Sequence, residues 1–211
     1  MHYAVSLATI LLAVLLGAMS PGPSFLIVAR VSMSQSRRKG VAAALGMGTG
    51  AVVLSLLAVL GMQTIFAAYP QLYRTLQLIG GIYLLHIGFR LCWNASAPVL
   101  GKDAISCGSI GNRRLFCMAF LIQISNPKTI VFYSSIFASL LPGKVPTWIV
   151  VALPMLIFLV ESGWYSLVSV LLSANTLRTA YIAAKTWIDR IAGGLILYLG
   201  AKLLMATLHV T

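Results

Sequence analysis

Apolar residues run through this chain in long continuous stretches, separated by short clusters rich in Arg, Lys, Pro, Gly and Ser. A membrane-crossing helix needs ~20 mostly apolar residues, because each rises ~1.5 Å through a ~30 Å hydrocarbon layer. Six such runs are present: Tyr3–Val28, Val41–Phe66, Leu72–Leu91, Leu115–Leu141, Trp148–Leu172 and Ile191–Leu208. Their length and continuity predict helices, since barrel strands would alternate polar and apolar residues. The pattern predicts an all-α integral membrane fold: six transmembrane helices in a single domain over residues 1–211.

Composition narrows the class further. Of 211 residues, 60% are hydrophobic and 9% charged, whereas a soluble chain carries roughly 25% charged residues to cover its surface. The net charge of +12 comes from 15 Lys and Arg against 3 acids. Most of these basic residues lie between apolar runs or near their ends, with Lys128 and Lys202 inside them, rather than on one wetted face, which argues against a nucleic-acid partner. Arg30, Arg37, Arg38, Lys39, Arg90, Lys102, Arg113, Arg114, Arg178, Lys185 and Arg190 follow runs one, three and five; only Arg74 and Lys144 follow runs two and four. The positive-inside rule then predicts that both termini face outward. Tyr69, Tyr73 and Trp148 would mark the outer interface, with Trp93 and Trp187 at the inner one. No Lys or Arg precedes the first run, so an uncleaved helix is expected rather than a signal peptide.

Several signals point away from enzyme chemistry. Cys92, Cys107 and Cys117 show no CxxC spacing and are expected to pack. No HExxH, Walker or GxSxG motif is present, so no catalytic residue, metal or cofactor is expected. Gly46-Met47-Gly48-Thr49-Gly50 lies inside an apolar run without a preceding strand; Gly46 and Gly50 are read as a packing face.

The chain also resembles itself. The stretch from Gly81 through Gly88 to Leu91 aligns without gaps on the stretch from Gly193 through Gly200 to Leu203. Upstream of each copy, a polar, proline-bearing site breaks an apolar run: Ser20-Pro21-Gly22-Pro23 in span 1 and Ser125-Asn126-Pro127-Lys128 in span 4. Three spans per copy is an odd number, so the second copy would be inverted. The expected architecture is two inverted three-helix repeats, about 1–97 and about 110–211, with helices 1 and 4 broken. Matched breaks of this kind are a sequence-level pointer to the binding site of a secondary transporter. Backbone groups freed there cannot be satisfied by lipid.

Few acids are available for chemistry at membrane depth. Asp103 falls in the loop between spans 3 and 4. Asp189 falls just before span 6 beside Arg190, where an ion pair or helix cap would explain it. Glu161 lies thirteen residues into span 5 and Lys128 thirteen residues into span 4 from the opposite face. Each is therefore ~20 Å deep at the helical rise. An isolated charge at the bilayer centre costs at least ~2.5–3.5 kcal/mol, so the two are expected to lie close, paired directly or through water or substrate. Trp164 shares a helix face with Glu161 and would wall the same cavity. His86 in span 3 matches Tyr198 in span 6 and is a weaker candidate.

These residues resemble a known family. Ser20-Pro21-Gly22-Pro23, Gly80-Gly81-Ile82-Tyr83-Leu84 through Gly88, Asn126-Pro127-Lys128, and Trp187-Ile188-Asp189-Arg190 with Gly193-Gly194 are similar to segments of the LysE/RhtB amino-acid exporters of bacteria. Val160-Glu161-Ser162-Gly163-Trp164 is similar to the threonine and homoserine exporter branch. Many members carry Asp or Asn directly after the span 1 motif, where this chain has Ser24. The resemblance implies a multi-pass exporter of small amino acids in the bacterial cytoplasmic membrane, driven by the proton motive force and oligomeric. On these combined grounds, the expected substrate-binding residues are Pro21, Gly22, Pro23, Ser24, Asn126, Pro127, Lys128, Glu161 and Trp164. Glu161 is also the proton-coupling candidate. The alternative is a metal-cation exporter of the same superfamily, which would need acid, His or Cys ligands gathered at the midplane.

Overall fold

The computed structural model describes residues 2–19, 22–96, 110–141, 145–173 and 175–208. Ser20, Pro21, Lys102, Asp103, Cys107 and Lys144 lie outside the described residues, as do the side chains of Tyr73 and Arg178. Eight helices are described: α1 (His2–Met19), α2 (Pro23–Ser34), α3 (Arg37–Ala68), α4 (Pro70–Trp93), α5 (Asn112–Ile124), α6 (Pro127–Leu140), α7 (Thr147–Leu172) and α8 (Asn175–Leu208). Among them α3, α4, α7 and α8 hold segments long and apolar enough to cross a membrane. The pairs α1–α2 and α5–α6 pass the same test together but bend by 57° and 56° at their junctions, giving six spans if each pair counts as one.

Both bends have a local cause. Pro23 and Pro127 stand at the first turn of α2 and α6. Proline lacks an amide donor and clashes with the turn before it, so it opens a helix readily and continues one poorly. The residue preceding each is held extended, Gly22 at φ −152° and Asn126 at φ −78°, ψ 108°, as the proline ring requires.

Long-range packing pairs α3 with α7, α4 with α8, and α3 with α5. Small residues let these backbones approach. A Cβ on Gly46 would strike the Phe116 carbonyl oxygen, and one on Gly50 would lie 2.8 Å from the Gln123 Cβ. Gly46 and Gly50 thus face α5, while Gly48 faces Ser162 on α7. Along the α4–α8 seam, Gly88 meets Gly193 and Gly81 meets Gly200: a Cβ on Gly88 would lie 2.8 Å from the Gly193 oxygen, and one on Gly200 3.0 Å from the Gly81 oxygen. Gly88→Ala is therefore expected to force the helices apart and cost ~1–3 kcal/mol. Gly194→Ala, whose added methyl meets nothing within 4 Å, is expected to be neutral or slightly stabilising; thermal unfolding of the two purified variants makes the comparison.

The sixth span differs from its expectation. The helix continues upstream of the apolar run through residues 175–190, and its membrane-length segment is Ala183–Leu208. Asp189 is consequently inside the helix and caps nothing. Its ion-pair partner is Lys185, one turn back, at 2.8 Å, rather than the neighbouring Arg190. Both side chains are buried. Lys185 also donates to the Ala95 carbonyl at 2.9 Å, tying α8 to the end of α4.

Two hydrophobic clusters form the interior. One joins Ile10 and Val14 of α1 to Leu84, Tyr133, Ile136, Ile157 and Ile196. The other gathers Phe25, Val28, Met47, Tyr165 and Val168 around α2 and α3. The large apolar side chains left exposed, such as Leu57, Ile82, Leu159 and Ile191, form the outer surface, as lipid contact allows.

Candidate functional site

Where the two clusters meet, the breaks in spans 1 and 4 open onto one cavity. Its walls include Gly22, Ser24 and Phe25 at the start of α2, Asn126, Lys128 and Thr129 at the start of α6, and Glu161 and Tyr165 on α7. The cavity is about 30 Å³, room for about two waters and less than an amino acid needs.

A chain of hydrogen bonds runs along its polar side. The Lys128 amide donates to Asn126 Oδ1 at 3.0 Å, capping α6. Asn126 Nδ2 donates to Ser24 Oγ at 3.2 Å, and the Ser24 hydroxyl donates to Gln123 Oε1 at 2.7 Å. Gln123 Nε2 donates to Glu161 Oε2 at 2.7 Å, and the Tyr133 hydroxyl donates to Glu161 Oε1 at 2.6 Å. Side chains from α2, α5, α6 and α7, with the α5–α6 junction, are thereby joined into one buried network. Such networks hold geometry when each member is satisfied, because an unpaired polar group in low dielectric is costly.

Two helix N-termini end at this cavity. Ser24 and Phe25 carry early amides of α2, and Lys128 and Thr129 those of α6. Aligned peptide dipoles make such ends attractive to negative charge, and Lys128 adds a formal positive charge to the same wall. Glu161, 4% exposed, supplies the opposite charge across the network. The site thus brings a lysine and a glutamate to one cavity, with neutral donors and acceptors on the same walls.

The sequence-based candidates divide accordingly. Gly22, Ser24, Asn126, Lys128 and Glu161 line the cavity. Pro23 and Pro127 are exposed and act by starting α2 and α6; Pro21 lies outside the described residues. Glu161 and Lys128 face one chamber, and the carboxylate accepts hydrogen bonds from Tyr133 and Gln123.

Trp164 does not wall the cavity; Tyr165 does. The Trp164 indole instead packs with the second cluster and donates to the Ala18 carbonyl at 3.2 Å. Ala18 lies in the last turn of α1, where carbonyls have no helical partner. Trp164→Phe would strand that carbonyl and is expected to cost ~1–3 kcal/mol, read as a lowered unfolding temperature. His86 is exposed on α4, as is Tyr198 on α8. Among the described residues no three His, Cys, Asp or Glu side chains gather, and Cys92 and Cys117 are free thiols.

Gln123, Tyr133 and Tyr165 also line the cavity, although spacing and charge did not single them out. A signal existed for Gln123, an uncharged polar residue deep in an apolar run three positions before Asn126. Tyr133 carried no comparable signal, because a tyrosine in a membrane helix is unremarkable until its hydroxyl finds a partner.

Known proteins give this geometry a context. The chain is 28% identical over 203 residues to the threonine efflux protein of Escherichia coli (strain K12), covering 94% of this chain and 97% of that one. It is 27% identical over 191 residues to the leucine efflux protein of Enterobacter sp. (strain 638), covering 90% and 89%. An uncharacterized membrane protein of Haemophilus influenzae is 28% identical over 194 residues, covering 90% and 91%. No solved structure matches. Residues 15–207 match the family described as LysE type translocator. By that match, which takes in both breaks, Lys128 and Glu161, the chain belongs to the LysE type translocator family.

Proposed function

We propose that this protein exports small neutral amino acids, threonine- or homoserine-like, from the cytoplasm in exchange for protons. One observation carries the reading: Lys128 and Glu161, of opposite charge, line a single cavity at which two helix N-termini end. A zwitterion presents the complementary pair. Its carboxylate is held by Lys128 and the start of α2, and its ammonium group by Glu161. The threonine and leucine efflux relatives, matched along most of their length, support this substrate class.

Glu161 is also the proton site. One carboxylate cannot hold both a proton and an ammonium group, so the two loads exclude each other, which is the requirement for exchange. The halves built from α1–α4 and α5–α8 act as inverted repeats and rock about the cavity to expose it to each side in turn. This is supported by the matched bends of 57° and 56° and by the pairing of α3 with α7 and α4 with α8. The protein works in the cytoplasmic membrane with both termini outside.

Proteoliposomes loaded with labelled threonine test the proposal. Acidifying the external medium is expected to accelerate threonine release, and a protonophore to abolish the acceleration. Release no faster than from protein-free vesicles would contradict export of this substrate. Release indifferent to the gradient would contradict proton exchange.

A further inference from the structure

Lys128 and Glu161 account for the two charges of an amino acid, but the side chain also needs a place in the cavity. The wall away from the hydrogen-bonded chain is apolar, formed by Val14 and Gly17 of α1, Phe25 of α2 and Phe132 of α6. Phe132 is 5% exposed and its ring lies directly over Gly17. A Cβ on Gly17 would come within 2.7 Å of Phe132 Cζ and 2.8 Å of Cε1. The ring therefore occupies the volume that any larger residue at position 17 would fill.

We infer that Phe132, seated on Gly17, sets the size of the amino-acid side chain this transporter accepts. The inference rests on the amino-acid exporter reading above. The cavity holds only about 30 Å³, so an incoming side chain must take its space from a lining residue. Phe25 is fully buried within the second cluster, packed with Val28, Met47 and Tyr165. Phe132 abuts a residue with no side chain and is attached to the first turns of α6, beside the break. Small side chains need only a slight displacement of the ring from Gly17; branched side chains of leucine size need it cut back.

The test is exchange of labelled threonine in proteoliposomes, in competition with unlabelled alanine, serine, threonine, valine and leucine. Wild type is compared with Phe132→Ala, Phe132→Leu and Gly17→Ala. Phe132→Ala is expected to improve leucine competition relative to threonine by about tenfold or more, the discrimination that one or two methylene-sized differences produce. Phe132→Leu should give a smaller shift in the same direction. Gly17→Ala, which drives the ring into the cavity, should move the preference towards alanine and serine. An unchanged order of competitors in both Phe132 variants, with threonine exchange intact, would overturn the inference and leave the exporter reading standing. Loss of all exchange in a monodisperse Phe132→Leu protein would also count against a size role. Failure of the wild type to exchange any of the five would instead overturn the exporter reading.

Discussion

Glu161→Gln is expected to reduce threonine efflux from proteoliposomes by at least tenfold, and by up to about a hundredfold, without unfolding the protein. The carboxylate accepts from Tyr133 at 2.6 Å and from Gln123 at 2.7 Å. A glutamine of the same shape offers one acceptor oxygen to two donors and carries no charge. A hydrogen bond to a charged group contributes ~1.5–3 kcal/mol, and each ~1.4 kcal/mol is a factor of ten. Losing the charge also removes the counterpart of a substrate ammonium group and the only exchangeable proton proposed for the cavity. Removing a buried charge relieves its desolvation cost, so stability should change far less than transport. Initial efflux rates with an acid external medium, set beside unfolding temperatures of the same preparations, separate the two effects. Efflux within twofold of wild type would remove Glu161 from the mechanism.

The second large effect concerns stability. Lys185 and Asp189 form a buried pair at 2.8 Å, and Lys185 also holds the Ala95 carbonyl. Breaking such a pair by deleting one partner leaves a buried charge uncompensated and costs ~3–5 kcal/mol. Lys185→Met should be the harsher of the two single changes. It strands Asp189, whose Oδ1 already has no hydrogen-bond partner among the described residues, and it removes a tie between α8 and α4. Asp189→Leu leaves Lys185 its bond to Ala95. Replacing both residues together, Lys185→Met with Asp189→Leu, should recover most of the loss, since apolar replacement of a whole buried pair is often neutral. Thermal unfolding of the two single variants and the double variant measures the coupling. Additive losses would mean that the pair does not act as a unit.

The membrane helices were legible because a bilayer demands ~20 apolar residues in sequence, and no other environment in this chain makes that demand. The breaks were legible because proline has one strong backbone consequence wherever it falls. That is why Pro23 and Pro127 stand at the helix starts the sequence suggested. Glu161 and Lys128 stood out through the cost of charge at depth.

Other features depended on packing, which sequence spacing leaves open. Trp164 and Tyr165 sit three and four residues after Glu161, so at about 100° per residue they flank it on either side. Only the placement of α1 decides that Tyr165 meets the cavity and Trp164 meets Ala18. The long start of α8 was hidden because Lys185, Asp189 and Arg190 look like a solvated loop. Their one-turn spacing neutralises Lys185 and Asp189 inside a helix instead. The glycine alignment pointed to close packing, and the seam it produces joins the two copies to each other, Gly81 to Gly200 and Gly88 to Gly193.

The chamber between the two helix breaks is proposed to hold an amino acid by its two charges. Equilibrium binding of radiolabelled L-threonine to the purified protein in lipid nanodiscs tests it without relying on turnover. Wild type is expected to bind one threonine per chain. Glu161→Gln and Lys128→Met, folded as judged by their unfolding temperatures, should each bind at least about tenfold more weakly, the loss expected for one charged hydrogen bond. Saturable binding of equal strength in all three proteins would contradict the assignment of this chamber as the substrate site.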